Sequence, residues 1–167
     1  VVKMGQTEKQ IADDAVVLTH VFDAPRERVW EAWTDPEWVK RWWGPHGFSA
    51  PVYETDMRPG GRSFSCMKPD EGECIWGVGA FREVTPPERF VVTDSFADEQ
   101  GNVVPAAEYG MSASWPMEML IEVDFEEMDG KTRVTVRHSG LMGLPEEDRQ
   151  GMAQGWTEQF EKLDALL

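Results

Sequence analysis

Two residues of this chain could pass a proton to a bound molecule, His138 and Asp94. Alternation puts His138 with Val134 and Val136 on one face of a strand over residues 131–139, and Asp94 with Phe90, Val92 and Phe96 on one face of a strand over 89–96. An inward imidazole either completes a packed core or orients a polar ligand atom. A carboxylate on an apolar face needs a partner or water, because burying it alone is costly; the other reading of Asp94 is a solvated strand end. Around them stand residues that could wall a cavity: Trp42, Trp43 and Phe48 in the run Trp42-Trp43-Gly44-Pro45-His46-Gly47-Phe48, then Trp76, Met152, Gly155 and Trp156. Rings offer large apolar area with few rotamers to freeze, although the same tryptophans could simply plug one end of a sheet. Gly151 and Gly155 lie one helical turn apart, either to let a helix approach a sheet closely or to leave room beside Trp156. Gly77 and Gly79 could leave room on their strand in the same way, or bend it.

Other chemistry has weaker signals. Cys66 and Cys74 flank a predicted hairpin turn and read as free thiols in a reducing compartment, with a cross-strand disulfide as the alternative. Two cysteines and three histidines without close pairing build no zinc site, so no metal is expected. The nucleophile elbow, the phosphate loop and the dinucleotide fingerprint are missing, which predicts no cofactor and argues against common enzyme classes.

Charge narrows the partners. The net charge of -15, from 31 acidic and 16 basic residues, opposes binding to nucleic acid or to anionic membranes. No apolar run is long enough to span a bilayer, and the polar first 15 residues lack the apolar centre of a signal peptide. The expectation is a soluble, acidic, cytoplasmic protein, consistent with a mean hydropathy of -0.47.

The elements that must position these residues follow from period and punctuation. Residues 1–15 are expected to be a flexible segment and 16–167 a single domain. A strand over 16–23 carries Val16, Leu18, His20 and Phe22 on one face. Asp23-Ala24-Pro25 then opens one short helix and Asp35-Pro36 another, with prolines at the first helical position. Strands follow over 50–57, 62–67, 73–84, 89–96, 117–127 and 131–139, with Asp129-Gly130 as a hairpin turn. Residues 97–116 have no clear period and form a long loop, structural or lid-like. A last helix begins near Pro145 and aligns Met152, Trp156, Phe160, Leu163 and Leu167 in one stripe. The fold class is α+β: a curved antiparallel sheet of six to seven strands wrapped around a long C-terminal helix.

Val21-Phe22-Asp23-Ala24-Pro25, Val29-Trp30, Ala32-Trp33-Thr34-Asp35-Pro36 and Trp42-Trp43-Gly44-Pro45, continued by Asp56-Met57-Arg58-Pro59-Gly60-Gly61, Trp115-Pro116, Gly130-Lys131-Thr132 and Gly155-Trp156, together resemble a known family. It comprises domains homologous to the activator of the ninety-kilodalton heat-shock-protein ATPase, in the START-like (SRPBCC) superfamily. The resemblance implies the helix-grip fold and leaves function open; the cavity of that fold, with the aromatic cluster and the helix glycines, points to a small apolar or aromatic ligand held between sheet and helix. A co-chaperone-like protein-interaction domain and an acid–base enzyme of polyketide-cyclase type are the alternatives. It is compatible with a homodimer, and a chaperone partner is not expected. Fold alone does not settle chemistry.

Overall fold

The computed structural model describes residues 3–167. Along the chain run β1 (Thr7–Ile11), β2 (Ala15–Phe22), α1 (Arg26–Thr34), α2 (Pro36–Val39), β3 (Phe48–Ser49), β4 (Tyr53–Thr55), β5 (Arg62–Pro69), β6 (Ile75–Thr85), β7 (Arg89–Ala97), a 3-10 turn (Ala106–Tyr109), β8 (Met119–Met128), β9 (Lys131–Ser139) and α3 (Glu146–Asp164). The strands form one nine-stranded sheet in the order β1-β2-β9-β8-β7-β6-β5-β3, with β4 also on β5. Every named pair is antiparallel. The fold is α+β and helix-grip-like: α3 packs on the inner face of the sheet, and α1 and α2 follow β2.

Alternation in the sequence becomes rows across that face. Val16 pairs with His138, His138 with Ile121, and Ile121 with Val92; one row along, Leu18 pairs with Val136, Val136 with Val123, and Val123 with Phe90. All eight side chains are buried. The α3 stripe closes over them through Trp156, Phe160 and Leu163, also buried. Burying such side chains contributes roughly 1.5–3 kcal/mol each before conformational entropy is subtracted. α1 adds Val29, Ala32 and Trp33 to the same core. Asp35 caps α2 by accepting from the Glu37 N–H at 3.0 Å.

Near the C-terminal end of α3 the facing side chains, Phe160 and Leu163 on the helix and His20 and Phe22 on the sheet, are completely buried. His20 has no exposed surface and lies between the rings of Phe22 and Phe160, at centroid distances of 4.6 and 5.3 Å. Its Nδ1 is bonded to Thr7 Oγ1 at 2.8 Å and its Nε2 to Asp164 Oδ2 at 2.8 Å. One imidazole therefore ties β1, β2 and α3 together.

The structure corrects several expectations. Residues 7–11, placed in the flexible segment, form β1 against β2; that strand is polar on nearly every residue and shows no alternation to read. Of the strand expected over 50–57 only Tyr53–Thr55 forms, as β4; Phe48–Ser49 makes a separate two-residue strand, β3, and between them lies Pro51, which has no N–H to give a ladder. These additions raise the strand count to nine and put the short helices after the second strand. Pro25 and Pro145 stand one place before their helices as N-caps, not inside them. Cys66 and Cys74, read as thiols, form a disulfide with Cα atoms 5.4 Å apart. No helix among the described residues is long and apolar enough to cross a membrane.

Candidate functional site

The N-terminal half of α3 does not sit flush on the sheet. Between it and strands β5 to β9 lies an open cleft of about 460 Å³. The sheet contributes Trp76, Asp94, Ile121 and His138 among others; α3 contributes Gly151, Met152, Gly155, Trp156 and Gln159; the segment after α2 contributes Trp43, Pro45 and Phe48. The helix glycines explain part of the space. A Cβ built on Gly151 or Gly155 would meet nothing within 4 Å, so neither glycine serves close packing. Gly77 likewise leaves room, with one carbonyl oxygen 3.6 Å away, whereas a Cβ on Gly79 would fall 1.9 Å from the Thr93 carbonyl oxygen. Gly79 is there because β6 and β7 approach too closely for any side chain.

Eight of the nine predicted cavity residues line this cleft: Trp43, Phe48, Trp76, Asp94, His138, Met152, Gly155 and Trp156. Trp42 does not. It is completely buried, its indole N–H donates to the Ala32 carbonyl at 2.9 Å, and it belongs to the core under α1. Both tryptophans lie in the turn that ends α2, where the backbone N–H groups of Trp42 and Trp43 both donate to the Val39 carbonyl; Trp42 turns into the core and Trp43 toward the cleft. Trp42 instead borders a separate inner chamber of about 50 Å³ with Trp33 and Tyr53, and that chamber shares Trp43, Asp94 and Trp156 with the cleft.

Sequence reasoning missed Met67, Ile75, Phe96, Met111, Trp115 and Gln159. Met111 and Trp115 belong to the long loop 97–116. The loop is tied to the sheet: the Tyr109 hydroxyl donates to the Ala97 carbonyl and accepts from the Trp76 N–H. The aromatics Tyr109 and Trp115, in a stretch rich in small residues, were the available signal.

Strand register brings His138 and Asp94 together. His138 faces Ile121 on β8, and Asp94 faces Met119, two residues along the same strand. Both side chains lean over β8 on the inner face, with His138 Nε2 3.3 Å from Asp94 Oδ2. Behind them the Trp156 Nε1–H donates to His138 Nδ1 at 3.1 Å. An indole N–H can only donate, so the bond assigns the lone pair to Nδ1 and the ring proton to Nε2. The Nε2–H points off the line to Asp94, and Nε2 has no hydrogen-bond partner among the described residues. His138 is thus neither a satisfied core histidine nor a free surface one, and Asp94, with its side chain one-third exposed, is the carboxylate the cleft presents.

The segment carrying Trp43 and Phe48 is held by α3. Gln159 accepts from the Gly44 N–H at 2.6 Å, and Lys162 Nζ donates to the carbonyls of Gly44 at 2.8 Å and Phe48 at 3.0 Å. Partial burial pulls the Lys162 ammonium below its ordinary pKa, against the raising fields of Asp70 and Glu158. Gly44 has φ of 92°, a conformation side chains rarely adopt. In the inner chamber, burial pushes the Tyr53 phenol up to about 12; a hydrogen bond with Ser63 opposes the shift, and the charge of Asp94 adds to it.

A curved antiparallel sheet gripping a C-terminal helix over an aromatic cleft defines a START-like domain. Residues 23–167 match the family model described as Activator of Hsp90 ATPase homolog 1-like protein, and the chain belongs to that family. Among solved structures, protein Ms6760 from Mycobacterium smegmatis is 29% identical with a TM-score of 0.76, covering 97% of this chain and 95% of its own. A protein from Arthrobacter aurescens is 26% identical with a TM-score of 0.79, covering 98% and 91%. CalU16 from Micromonospora echinospora, at 18% identity and a TM-score of 0.64 over 96% and 85%, shares the fold. No curated protein matches the chain.

Proposed function

We propose that this domain binds a small molecule with an apolar or aromatic body in the cleft between the sheet and α3. The observation that carries the reading is the unfilled half of the helix–sheet interface: about 460 Å³ bordered by Trp43, Phe48, Trp76 and Trp156, beside two helix glycines whose missing side chains face open space. That volume lies within the usual range for small-molecule pockets. An apolar ligand gains about 25 cal/mol for each Å² of surface it buries there. The test is a filled cleft. Gly155→Leu places a side chain in the open space, and it should abolish a signal that wild type gives, with retained small molecules read by native mass spectrometry and added ones by tryptophan quenching. Equal binding by wild type and Gly155→Leu would overturn the reading.

A second reading, acid–base chemistry on the same ligand, has one observation in its favour: His138 and Asp94 meet at the cleft wall with the imidazole tautomer fixed by Trp156. Return of a bound ligand unchanged after prolonged incubation would count against it. The family's name describes an activator of a chaperone, and we do not extend that role to this chain. Among the described residues the exposed large apolar side chains, Met4, Ile11, Val103, Met117 and Met142, are scattered along the sequence. Cytoplasmic residence is proposed from composition; a thiol count on freshly lysed cells tests it, because a reducing compartment would deliver Cys66 and Cys74 as thiols.

A further inference from the structure

The charges around the cleft are one-sided. Its lining includes Asp94, Glu147 and Asp148, and among the described residues no Lys or Arg. Glu147 and Asp148 have a local explanation, since they stand in the first turn of α3, where carboxylates suit the helix dipole. Asp94 has no such explanation. It comes from the middle of an apolar strand face, and its only ion-pair partner among the described residues is His138.

That partner does not neutralise it. With the Trp156 N–H occupying Nδ1, the His138 ring is the neutral Nε2–H form. Its Nε2 has no hydrogen-bond partner, although the side chain is more than nine-tenths buried at the cleft wall. The imidazole therefore stands beside the Asp94 carboxylate at 3.3 Å and supplies no countercharge. The field of that carboxylate also reaches Tyr53, adding to the rise of a phenol already pushed up by burial. Around it stand Trp43, Phe48, Trp76, Phe96, Trp115 and Trp156. Aromatic rings attract cations through their quadrupole, and more strongly where water is thinned out.

We infer that the ligand of this cleft is an organic cation: an apolar ring or chain carrying an amine or quaternary ammonium group, seated among the tryptophans with its charge at Asp94. The same charges disfavour anionic amphiphiles such as fatty acids. This inference rests on the ligand-binding reading above and adds the sign of the charge.

Three probes of one shape test it: 1-naphthylmethylammonium, 1-naphthylmethanol and 1-naphthoate, titrated by calorimetry at low salt. The ammonium should bind about tenfold more tightly than the alcohol, and the carboxylate most weakly. Asp94→Asn should cut the ammonium-to-alcohol ratio several-fold, the rings and the two carboxylates of α3 keeping the remainder. Independently of any variant, raising the salt should weaken the ammonium in wild type and leave the alcohol unmoved, because screening acts only on charge. Equal binding of ammonium and alcohol, or tighter binding of the carboxylate, overturns the cationic ligand while leaving the cleft as a binding site. Failure of all three to bind at millimolar concentration overturns the binding reading itself, and this inference with it.

Discussion

Two histidines lie on the inner face of the same sheet, and each has a carboxylate beside it, yet the structure uses them in opposite ways. His20 is bonded on both ring nitrogens, to Thr7 and to Asp164, and has no exposed surface. His138 is bonded on Nδ1 by Trp156, while its Nε2 faces Asp94 without a hydrogen bond. The difference follows the helix above them. Over His20 the helix presents Phe160, Leu163 and Asp164; over His138 it presents Trp156 with Gly151 and Gly155 nearby. The same residue type on the same face is a structural tie where the helix fills the groove and a cleft wall where it does not.

The sharpest way to break this comparison is to remove one large side chain from each end. Phe160→Ala should cost about 3–5 kcal/mol, because the closed end has no neighbour free to collapse into the hole. Met152→Ala, at the cleft, should cost about 1 kcal/mol or less, since Met152 is only partly buried and already borders open space. Urea unfolding midpoints of the two variants give the ratio. Equal losses would mean that the cleft is closed in solution.

The polar ties come next. Asp164→Ala strips His20 of its Nε2 partner and leaves a buried polar atom unsatisfied, for a loss of about 1–3 kcal/mol. Asp164→Asn keeps an acceptor and should recover much of it. Asp94→Asn removes no hydrogen bond from His138, because none is made, so its effect on the unfolding midpoint should be distinctly smaller than that of Asp164→Ala.

Most of the closed end was legible in the sequence. Val16, Leu18, His20 and Phe22 alternate, the α3 stripe is periodic, and Asp129-Gly130 separates two strands whose inward residues were read correctly. The candidate site was legible as residues but less so as geometry. Eight of nine predicted residues border the cleft, because a period of two or 3.6 says which way a side chain points. Period does not say how far apart two elements stand, so whether Gly155 made a close contact or a space could not be read. Trp42 borders the inner chamber and not the cleft for a related reason: both tryptophans follow the four-residue helix in a turn, where no period says which way a side chain points. The disulfide depends on hairpin register. Cys66 pairs with Trp76, two places beyond Cys74, a stagger that the turn Lys68-Pro69-Asp70-Glu71-Gly72 does not announce.

Tyr53 sharpens the comparison from the other side, because it borders the inner chamber behind the cleft. Its pKa is about 12 in the folded chain, raised chiefly by burial from the ordinary 10.0. A group whose folded pKa is raised contributes stability that is fully present below the unfolded value and is lost as pH climbs through the folded one. Stability should therefore fall between pH 10 and 12, by about 1.4 kcal/mol at pH 11, one tenfold step in the equilibrium. Tyr53→Phe should remove that component. Ultraviolet titration of the phenols reads the pKa directly; a Tyr53 that ionised near 10 would mean that water from the cleft reaches the chamber freely.

The smallest expected effect has the opposite sign. Gly151 and Gly155 weaken α3, since glycine in a helix interior costs about 1 kcal/mol relative to alanine. A Cβ at either position meets nothing within 4 Å, so Gly151→Ala and Gly155→Ala should each stabilise the protein by about that amount, read as a rise in the urea midpoint. At the closed end no such gain is on offer, because its helix positions are already filled. The two substitutions should also part company from Gly155→Leu: a methyl group leaves most of the roughly 460 Å³ open, so the alanine variants should keep the ability to bind a naphthyl probe that the leucine variant loses. Destabilisation by alanine at these positions would mean that the helix sits closer to the sheet than the cleft requires, and the contrast between the two histidines would then need a cause other than the space above them.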